Sequence, residues 1–300
     1  MRVAGHTMGT PDMDLADAFR LFRRAGLDAA EVVWQDGYRA GIPASGGSTD
    51  VEEAARLQDE LGVKIICLTP YMSEINSLND REREAGIAAF QKCIRDAERL
   101  SCGRIRVYAG SFLAGEEEVY DTKWQRLIES LRFLGPIADA AGVTLCVENH
   151  FNTMAATAQQ TAALLEDVAT KGVGVLYDQA NLDFAHQEPY EVALPLLLPW
   201  IEHVQVKDFV FTDPDAPFEA AAVETVDSSK RAVQSRPVGD GVMDWKAILG
   251  KLHAAGYDGY LSLEYEYRWH PQDLPPPDVG FPRSASVVRS LLAELEGNTP

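Results

Sequence analysis

Short apolar segments alternate with longer amphipathic segments along the whole chain. The short segments are rich in β-branched and apolar residues, the pattern of strands that are covered on both faces. They predict eight strands, at residues 2–5, 29–34, 63–68, 104–108, 143–148, 173–178, 203–206 and 260–264. Apolar residues at helical spacing predict eight helices, at residues 15–25, 51–61, 82–100, 124–140, 159–169, 189–198, 245–254 and 284–295.

Local signals support several of these boundaries. A glycine follows the predicted helix at five junctions with the next strand, as at Gly62 and Gly142. Glycine at such a position adopts the left-handed conformation that ends a helix. Thr49 and Glu52 have the spacing of a capping box, and Asp244 is expected to cap the helix that begins after it.

Strict alternation of strands and helices predicts a parallel sheet, and eight such units predict a single-domain (β/α)8 TIM barrel over residues 1–300. An open, doubly wound α/β sheet is the alternative, but no GxGxxG motif follows the first strand. The longest irregular stretch, residues 209–241, follows the seventh strand. Loops of this length commonly cover active sites, so we expect an active-site loop here.

Composition narrows the class of function. Hydrophobic residues make up 46% of the chain and charged residues 24%, which is typical of a globular protein. The formal net charge of −19 disfavours binding to nucleic acid or to anionic membranes. No signal peptide or uncharged membrane-spanning run is evident, and the four cysteines form no CxxC pair. A cytoplasmic protein with reduced thiols is therefore expected.

Oxygen-bearing side chains end or nearly end four of the predicted strands, and they are Glu148, Asp178, Gln205 and Glu264. The carboxyl ends of parallel strands meet at one edge of the sheet, so these side chains are expected to converge. Buried carboxylates require a cation or an Arg or Lys partner, because an unpaired buried charge is very costly. Hard divalent cations prefer such oxygen ligands. The pattern therefore predicts a metal site at the barrel mouth.

Five segments, in the same order and at similar spacing, resemble the xylose-isomerase-like TIM-barrel superfamily of sugar phosphate isomerases and epimerases, which also contains endonuclease IV. The segments are VENH at 147–150, YDQAN at 177–181, HVQVKD at 203–208, GDGVMDW at 239–245 and GYDGYLSLE at 256–264. They cover about the last 160 residues, and the strand count extends the resemblance to the whole chain.

The resemblance implies that the metal ligands are Glu148, Asp178, the residue at position 205 and Glu264. Most members have His at that third position, whereas this chain has Gln205, as hydroxypyruvate-isomerase-like members do. The amide oxygen would then complete a set of four oxygen ligands that favours Mn²⁺ or Mg²⁺ over Zn²⁺. His203, deeper along the same strand, is the alternative third ligand.

The resemblance further implies a metal-dependent isomerase or epimerase of a small carbohydrate or keto-hydroxy acid, working by proton transfer through an enediolate. Glu148 and Glu264 would serve as base and acid, with His150 and Lys207 in proton shuttling or support of an oxyanion. The alternative is a lyase of the same fold and metal, namely a dehydratase or an enzyme that cleaves C-glycosides of oxidised sugars.

The sequence supports two further functions less well, and it does not indicate whether the protein forms a homo-oligomer. DNA repair of the endonuclease IV kind needs additional histidine ligands and a basic surface, which six histidines and the acidic charge disfavour. A non-catalytic sugar-binding barrel is the remaining class. Formation of a homo-oligomer, the identity of the substrate and the residue that acts as base are left open by the sequence.

Overall fold

A computed structural model describes residues 1–184, 188–225 and 227–297. Eight parallel strands form the barrel: β1 (Arg2–His6), β2 (Ala29–Trp34), β3 (Lys64–Thr69), β4 (Arg104–Tyr108), β5 (Thr144–Glu148), β6 (Val173–Tyr177), β7 (Ile201–Val206) and β8 (Tyr260–Leu263). A ninth, two-residue strand of the same sheet, Gly41–Ile42, pairs with the end of β2. Strand β1 pairs with both β2 and β8, and this closes the sheet into a barrel. The predicted TIM barrel is confirmed.

Helices surround the barrel, and their apolar faces pack on the outer face of the strands. The α-helices of the described residues are Leu15–Arg24, Ser48–Leu61, Asp80–Arg99, Tyr120–Ala140, Ala158–Val168, Gln179–Phe184, Tyr190–Leu197, Ala220–Glu224, Trp245–Ala254 and Pro277–Gly297. The eight predicted helices are present. The last of them begins at Pro277, seven residues before the predicted start, because proline is well accommodated in the first turn of a helix.

The local boundary signals were mostly right. Gly62 has a φ of 62° at the end of its helix, and the Asp244 carboxylate accepts a hydrogen bond from Ala247 N at 3.0 Å. The predicted capping box of Thr49 is wrong. The helix begins at Ser48, three residues before the predicted start, and the Asp50 carboxylate accepts a hydrogen bond from Gly47 N at 2.8 Å. Asp50 therefore satisfies the backbone at this helix start.

The stretch at residues 209–241 is more ordered than the sequence predicts. Residues Asp208–Phe211 pair antiparallel with Val233–Arg236, and the helix Ala220–Glu224 lies between these two short strands. The Asp208 carboxylate anchors the end of the stretch, because it accepts hydrogen bonds from the backbone N–H groups of Phe209, Gly239, Gly241 and Met243. Four-residue strands carry too little periodicity to be recognised in sequence.

The barrel interior holds charged and polar side chains as well as apolar ones. His6, Glu31, Arg106, Glu148, His203 and Gln205 are each at most 2% exposed. These residues come from strands on different sides of the barrel, so closure of the sheet brings them together. Among the described residues, no helix is both long and apolar enough to cross a membrane.

Candidate active site

The four predicted ligand positions lie at the same end of the barrel. Glu148 ends β5, Asp178 follows β6, Gln205 lies near the end of β7 and Glu264 follows β8. All four side chains are buried. One carboxylate oxygen from each of Glu148, Asp178 and Glu264 lies within 4.8 Å of the other two. We call these three acids the mouth cluster.

Two oxygens near this cluster accept no hydrogen bond from any residue that the structure describes. Gln205 Oε1 is buried without a partner, while the Nε2 of the same amide donates to Glu31 Oε1 at 3.0 Å. Asp178 Oδ2 lies 2.9 Å from Lys207 Nζ, an ion-pair distance, but the geometry is not that of a hydrogen bond. Buried acceptors without donors are costly, and a cation can compensate for them. The residues present therefore fit a hard divalent metal.

Lys207 is the central cation of the mouth. Its Nζ lies 2.9 Å from Glu264 Oε2, 3.1 Å from Asn181 Oδ1 and 3.6 Å from Glu266 Oε1, in addition to the Asp178 contact. Burial alone would lower the pKa of Lys207, but Asp178, Glu264 and Glu266 outweigh it and hold that pKa well above its usual value. The ammonium group is therefore charged.

Arg106 is a second buried cation, which the sequence did not single out. Its Nε donates to Glu148 Oε2 at 2.5 Å, and its Nη1 donates to Pro70 O at 3.0 Å. The guanidinium carbon lies 3.5 Å from the ring centroid of Tyr108 and 4.8 Å from that of Tyr71. One feature of the sequence could have identified Arg106: it lies in the middle of a strand, and its side chain points to the opposite face from those of Ile105 and Val107.

Negative charge exceeds positive charge around the mouth. When the four carboxylates of Glu148, Asp178, Glu264 and Glu266 are all ionised, they face two cations, Arg106 and Lys207, and two negative charges are left unbalanced. Burial, together with the neighbouring acids, raises the pKa of Asp178 and of Glu148. Burial also raises the pKa of Glu264, but Lys207, His6 and Arg106 outweigh it and the net shift is downward. A doubly charged cation would balance the charge.

His150 lies beside the mouth cluster, and one of its two ring nitrogens already makes a hydrogen bond. Its Nδ1 is 2.6 Å from Phe151 O, and because a carbonyl can only accept, Nδ1 carries the hydrogen. Burial and the nearby charges of Arg106 and Lys207 lower the pKa of His150 to about 3. The neutral ring therefore presents Nε2 as an acceptor.

His203, the alternative third ligand, lies in a separate group deeper in the barrel. Its Nε2 is 3.0 Å from Glu31 Oε2, and Glu31 Oε1 accepts hydrogen bonds from Thr69 Oγ1 at 2.7 Å and from Gln205 Nε2. His6 Nε2 lies 3.5 Å from the same oxygen. We call Glu31, Thr69, His203 and His6 the floor cluster. Glu31 was also missed, because it interrupts an apolar strand near its middle.

A cavity of about 350 Å³ opens above the mouth cluster. Lys207, Glu264, His150 and Arg106 line it together with aromatic side chains, among them Tyr71, Tyr108, Phe151, Phe184 and Trp269. This volume lies within the range of about 300–1,000 Å³ that is typical of small-molecule sites. Polar groups at the base of the cavity and aromatic walls above suit a small polyhydroxylated ligand.

Comparison with curated proteins finds relatives named inosose dehydratase. Inosose dehydratase of Geobacillus thermodenitrificans is 31% identical over 146 residues, which are 49% of this chain and 48% of the relative. Inosose dehydratase of Yersinia enterocolitica is 31% identical over 155 residues, 50% of this chain and 51% of the relative. This chain thus spans about half the length of the curated relatives it matches.

Solved structures resemble the whole chain, at low sequence identity. A D-tagatose 3-epimerase-like protein superposes with a TM-score of 0.76 at 18% identity, covering 99% of both chains. A xylose isomerase-like TIM barrel protein from Mycobacterium smegmatis in complex with magnesium superposes with a TM-score of 0.72 at 19% identity, over 98% of this chain and 97% of that chain. The IOLI protein with bound zinc gives 0.75 at 16% identity, over 98% of each chain. A family model described as a xylose isomerase-like TIM barrel matches residues 19–291. The chain belongs to the xylose isomerase-like TIM barrel family.

Proposed function

We propose that this protein is a metal-dependent lyase that removes water from a keto sugar or a keto-cyclitol. The observation that carries the proposal is the set of buried oxygens at the base of the cavity, two of which, Asp178 Oδ2 and Gln205 Oε1, lack hydrogen bonds from the described residues. The relatives named inosose dehydratase favour elimination of water over isomerisation.

The metal would be held by Glu148, Asp178, Gln205 and Glu264. A divalent cation bound there would stabilise negative charge that develops on the substrate carbonyl oxygen. Four oxygen ligands favour Mn²⁺ or Mg²⁺. Magnesium in one structural neighbour supports this preference, whereas zinc in another shows that the fold also accommodates a softer ion.

Side chains that line the cavity would carry the proton transfers. His150 Nε2 would remove the proton from the carbon next to the carbonyl, since its other nitrogen is committed to Phe151 O. Burial and the charges of Arg106 and Lys207 make this imidazole a weak base, so the step would depend on a strongly polarised carbonyl that makes the proton more acidic. Lys207 would donate a proton to the departing hydroxyl group, which then leaves as water while a carbon–carbon double bond forms. Asp178 and Glu264 keep the Lys207 ammonium charged and in place.

The stretch at residues 209–241 would cover the cavity as the active-site loop. Its helix contributes Val223 and Glu224 to the cavity wall. A buried ion pair between Arg231 and Asp273 ties the stretch to the segment after β8. Substrate is expected to slow proteolytic cleavage within 209–241; unchanged cleavage would argue against this role.

Isomerisation or epimerisation is the second candidate. Glu148 and Glu264 come from β5 and from the end of β8, and both contribute an oxygen to the mouth cluster. Two carboxylates arranged in this way could act as base and acid on a substrate carbon, and the epimerase-like structural neighbour supports this alternative. The two reactions share the first proton removal and diverge at the next step, which is loss of the protonated hydroxyl group as water in one and return of a proton to carbon in the other.

Proton NMR in heavy water separates the two candidates. The protein, loaded with Mg²⁺, is incubated with inosose and with a panel of ketoses. Loss of water with formation of an unsaturated ketone is expected for inosose, and His150→Gln should abolish it without loss of metal. His253→Gln, an exposed histidine on an outer helix, is the matched control. Deuterium incorporation without elimination would instead establish the isomerase or epimerase; no reaction with any substrate would contradict both.

A further inference from the structure

The amide of Gln205 can serve as a metal ligand only in one of its two orientations. A side-chain amide carries an oxygen acceptor on one branch and an NH₂ donor on the other, and the two branches are similar in shape. Only the oxygen can coordinate a hard cation. Something in the surrounding structure must therefore select the orientation with the oxygen toward the mouth cluster.

Glu31 makes this selection by hydrogen bonding. Glu31 is fully buried on β2, and its Oε1 accepts from Gln205 Nε2 at 3.0 Å. The same carboxylate accepts from Thr69 Oγ1 at 2.7 Å and lies 3.0 Å from His203 Nε2. A carboxylate surrounded by donors can only accept, so Gln205 must turn its NH₂ branch toward it. Rotating the amide would place its oxygen against the carboxylate and lose a charge-assisted hydrogen bond.

The opposite branch of the amide is then left available. Gln205 Oε1 is buried and has no hydrogen-bond partner among residues 1–184, 188–225 and 227–297. Lys207, which contacts Asp178 and Glu264, lies two residues farther along the same strand direction and on the same face. Gln205 therefore lies one strand repeat below Lys207, on the face of the strand that leads to the three acids.

We infer that Glu31 is a positioning residue that fixes the Gln205 amide with its oxygen free, and thereby makes glutamine an oxygen ligand at this position. The inference rests on the metal site proposed above. It also assigns His203 to the floor of the barrel, where it helps to hold Glu31 rather than to bind metal.

The test is Mn²⁺ binding, measured by electron paramagnetic resonance on four proteins: the wild type, Glu31→Gln, the double variant Glu31→Gln/Gln205→Glu, and Glu53→Gln. Glu31→Gln can offer either amide branch to Gln205, so the affinity for Mn²⁺ should fall by about 10–100-fold. The double variant keeps the total charge and provides a ligand with two equivalent oxygens, which needs no orientation. Its affinity should return to within about threefold of the wild type, an effect that a purely structural role of Glu31 would not produce. Glu53→Gln, an exposed change of the same chemistry on an outer helix, should bind as the wild type does.

The outcomes separate this inference from the proposed function. Wild-type protein that fails to bind Mn²⁺ overturns both. Wild-type binding together with unchanged binding by folded Glu31→Gln overturns only the role of Glu31, and so does a folded double variant that stays weak. Should Glu31→Gln alone fail to fold, which circular dichroism will show, the double variant decides: binding like the wild type supports the inference, and loss of binding in the folded double variant overturns it.

Discussion

Two buried clusters, one with three acids and one built around the single acid Glu31, lie at different depths in this barrel, and they differ in how their carboxylate oxygens are hydrogen-bonded. In the floor cluster both oxygens of Glu31 accept hydrogen bonds, from Thr69, Gln205 and His203. Among the residues that the structure describes, the buried atoms without a hydrogen bond in or beside this cluster are His6 Nε2, His203 Nδ1 and Ser262 Oγ, which are nitrogens and a hydroxyl group. At the mouth, the corresponding atoms of the described residues are the acceptor oxygens Asp178 Oδ2 and Gln205 Oε1.

The pKa values of the buried carboxyl groups also differ between the two clusters. Burial raises the pKa of Glu31, but His6 and His203 outweigh it and the net shift is strongly downward. Burial, with a smaller contribution from Glu264 and Glu148, raises the pKa of Asp178 to about 8, because Lys207 offsets only part of the combined rise. Burial of acids alone therefore does not indicate a cation site. Buried carboxylate and amide oxygens that lack a hydrogen-bond donor do, and of these two groups only the mouth has them among the described residues.

The largest expected effect is on stability, at the floor. Glu31→Ala removes the acceptor of three buried donors and should lower the free energy of unfolding by about 3–5 kcal/mol, the range for breaking a buried charged contact. Urea denaturation in the presence of EDTA measures it. Asp178→Asn is the matched control at the mouth, equally buried, and should not destabilise the protein, because it relieves repulsion among the acids. Equal destabilisation by both variants would contradict the difference between the clusters.

The next effect is on function, at the mouth. Glu264→Gln removes one negative charge from the proposed ligand set, so both Mn²⁺ affinity and turnover should fall by at least about 100-fold, more than loss of an outer partner costs. Metal analysis after dialysis and the NMR assay measure the two effects. Glu266→Gln, at a carboxylate 3.6 Å from Lys207 and outside the ligand set, should retain the metal. Full activity of Glu264→Gln would count heavily against the site.

The sequence predicted the mouth better than the floor. Glu148, Asp178 and Glu264 each stand at the carboxyl end of an apolar segment, and parallel pairing alone brings such ends together. Glu31 and Arg106 lie within strands, and their roles can be recognised only from the side chains that they contact in the folded barrel. Arg106 meets Glu148 across 42 residues of sequence, and Glu31 meets His203 across 172 residues. Spacing carries no information about such pairs until the barrel is closed.

The fold could be predicted from the sequence for a related reason. Strand and helix periodicity is local, and the order of eight units fixes a closed parallel barrel with few alternatives. The short strands Asp208–Phe211 and Val233–Arg236 were missed, since their pairing depends on the Arg231–Asp273 ion pair and on the backbone contacts of Asp208.

The smallest expected effect is on the access of a thiol reagent to the floor cluster, and it tests whether the floor is closed to solvent. Cys67 Sγ lies close to Glu31 and His203, in an arrangement that could hold a thiophilic metal if the floor were open. Burial, together with the charge of Glu31, holds the pKa of the Cys67 thiol well above its usual value, so little of the reactive thiolate is present at neutral pH.

Ellman's reagent should therefore leave Cys67 unmodified in the native protein and modify it after unfolding, as mass spectrometry of digested peptides will show. Cys93, Cys102 and Cys146 are buried and free as well, and they provide internal controls for global opening. Selective modification of Cys67 under native conditions, or cadmium binding that persists in Glu264→Gln, would mean that the floor opens to solvent, and the contrast between a closed floor and an acceptor-rich mouth would then fail.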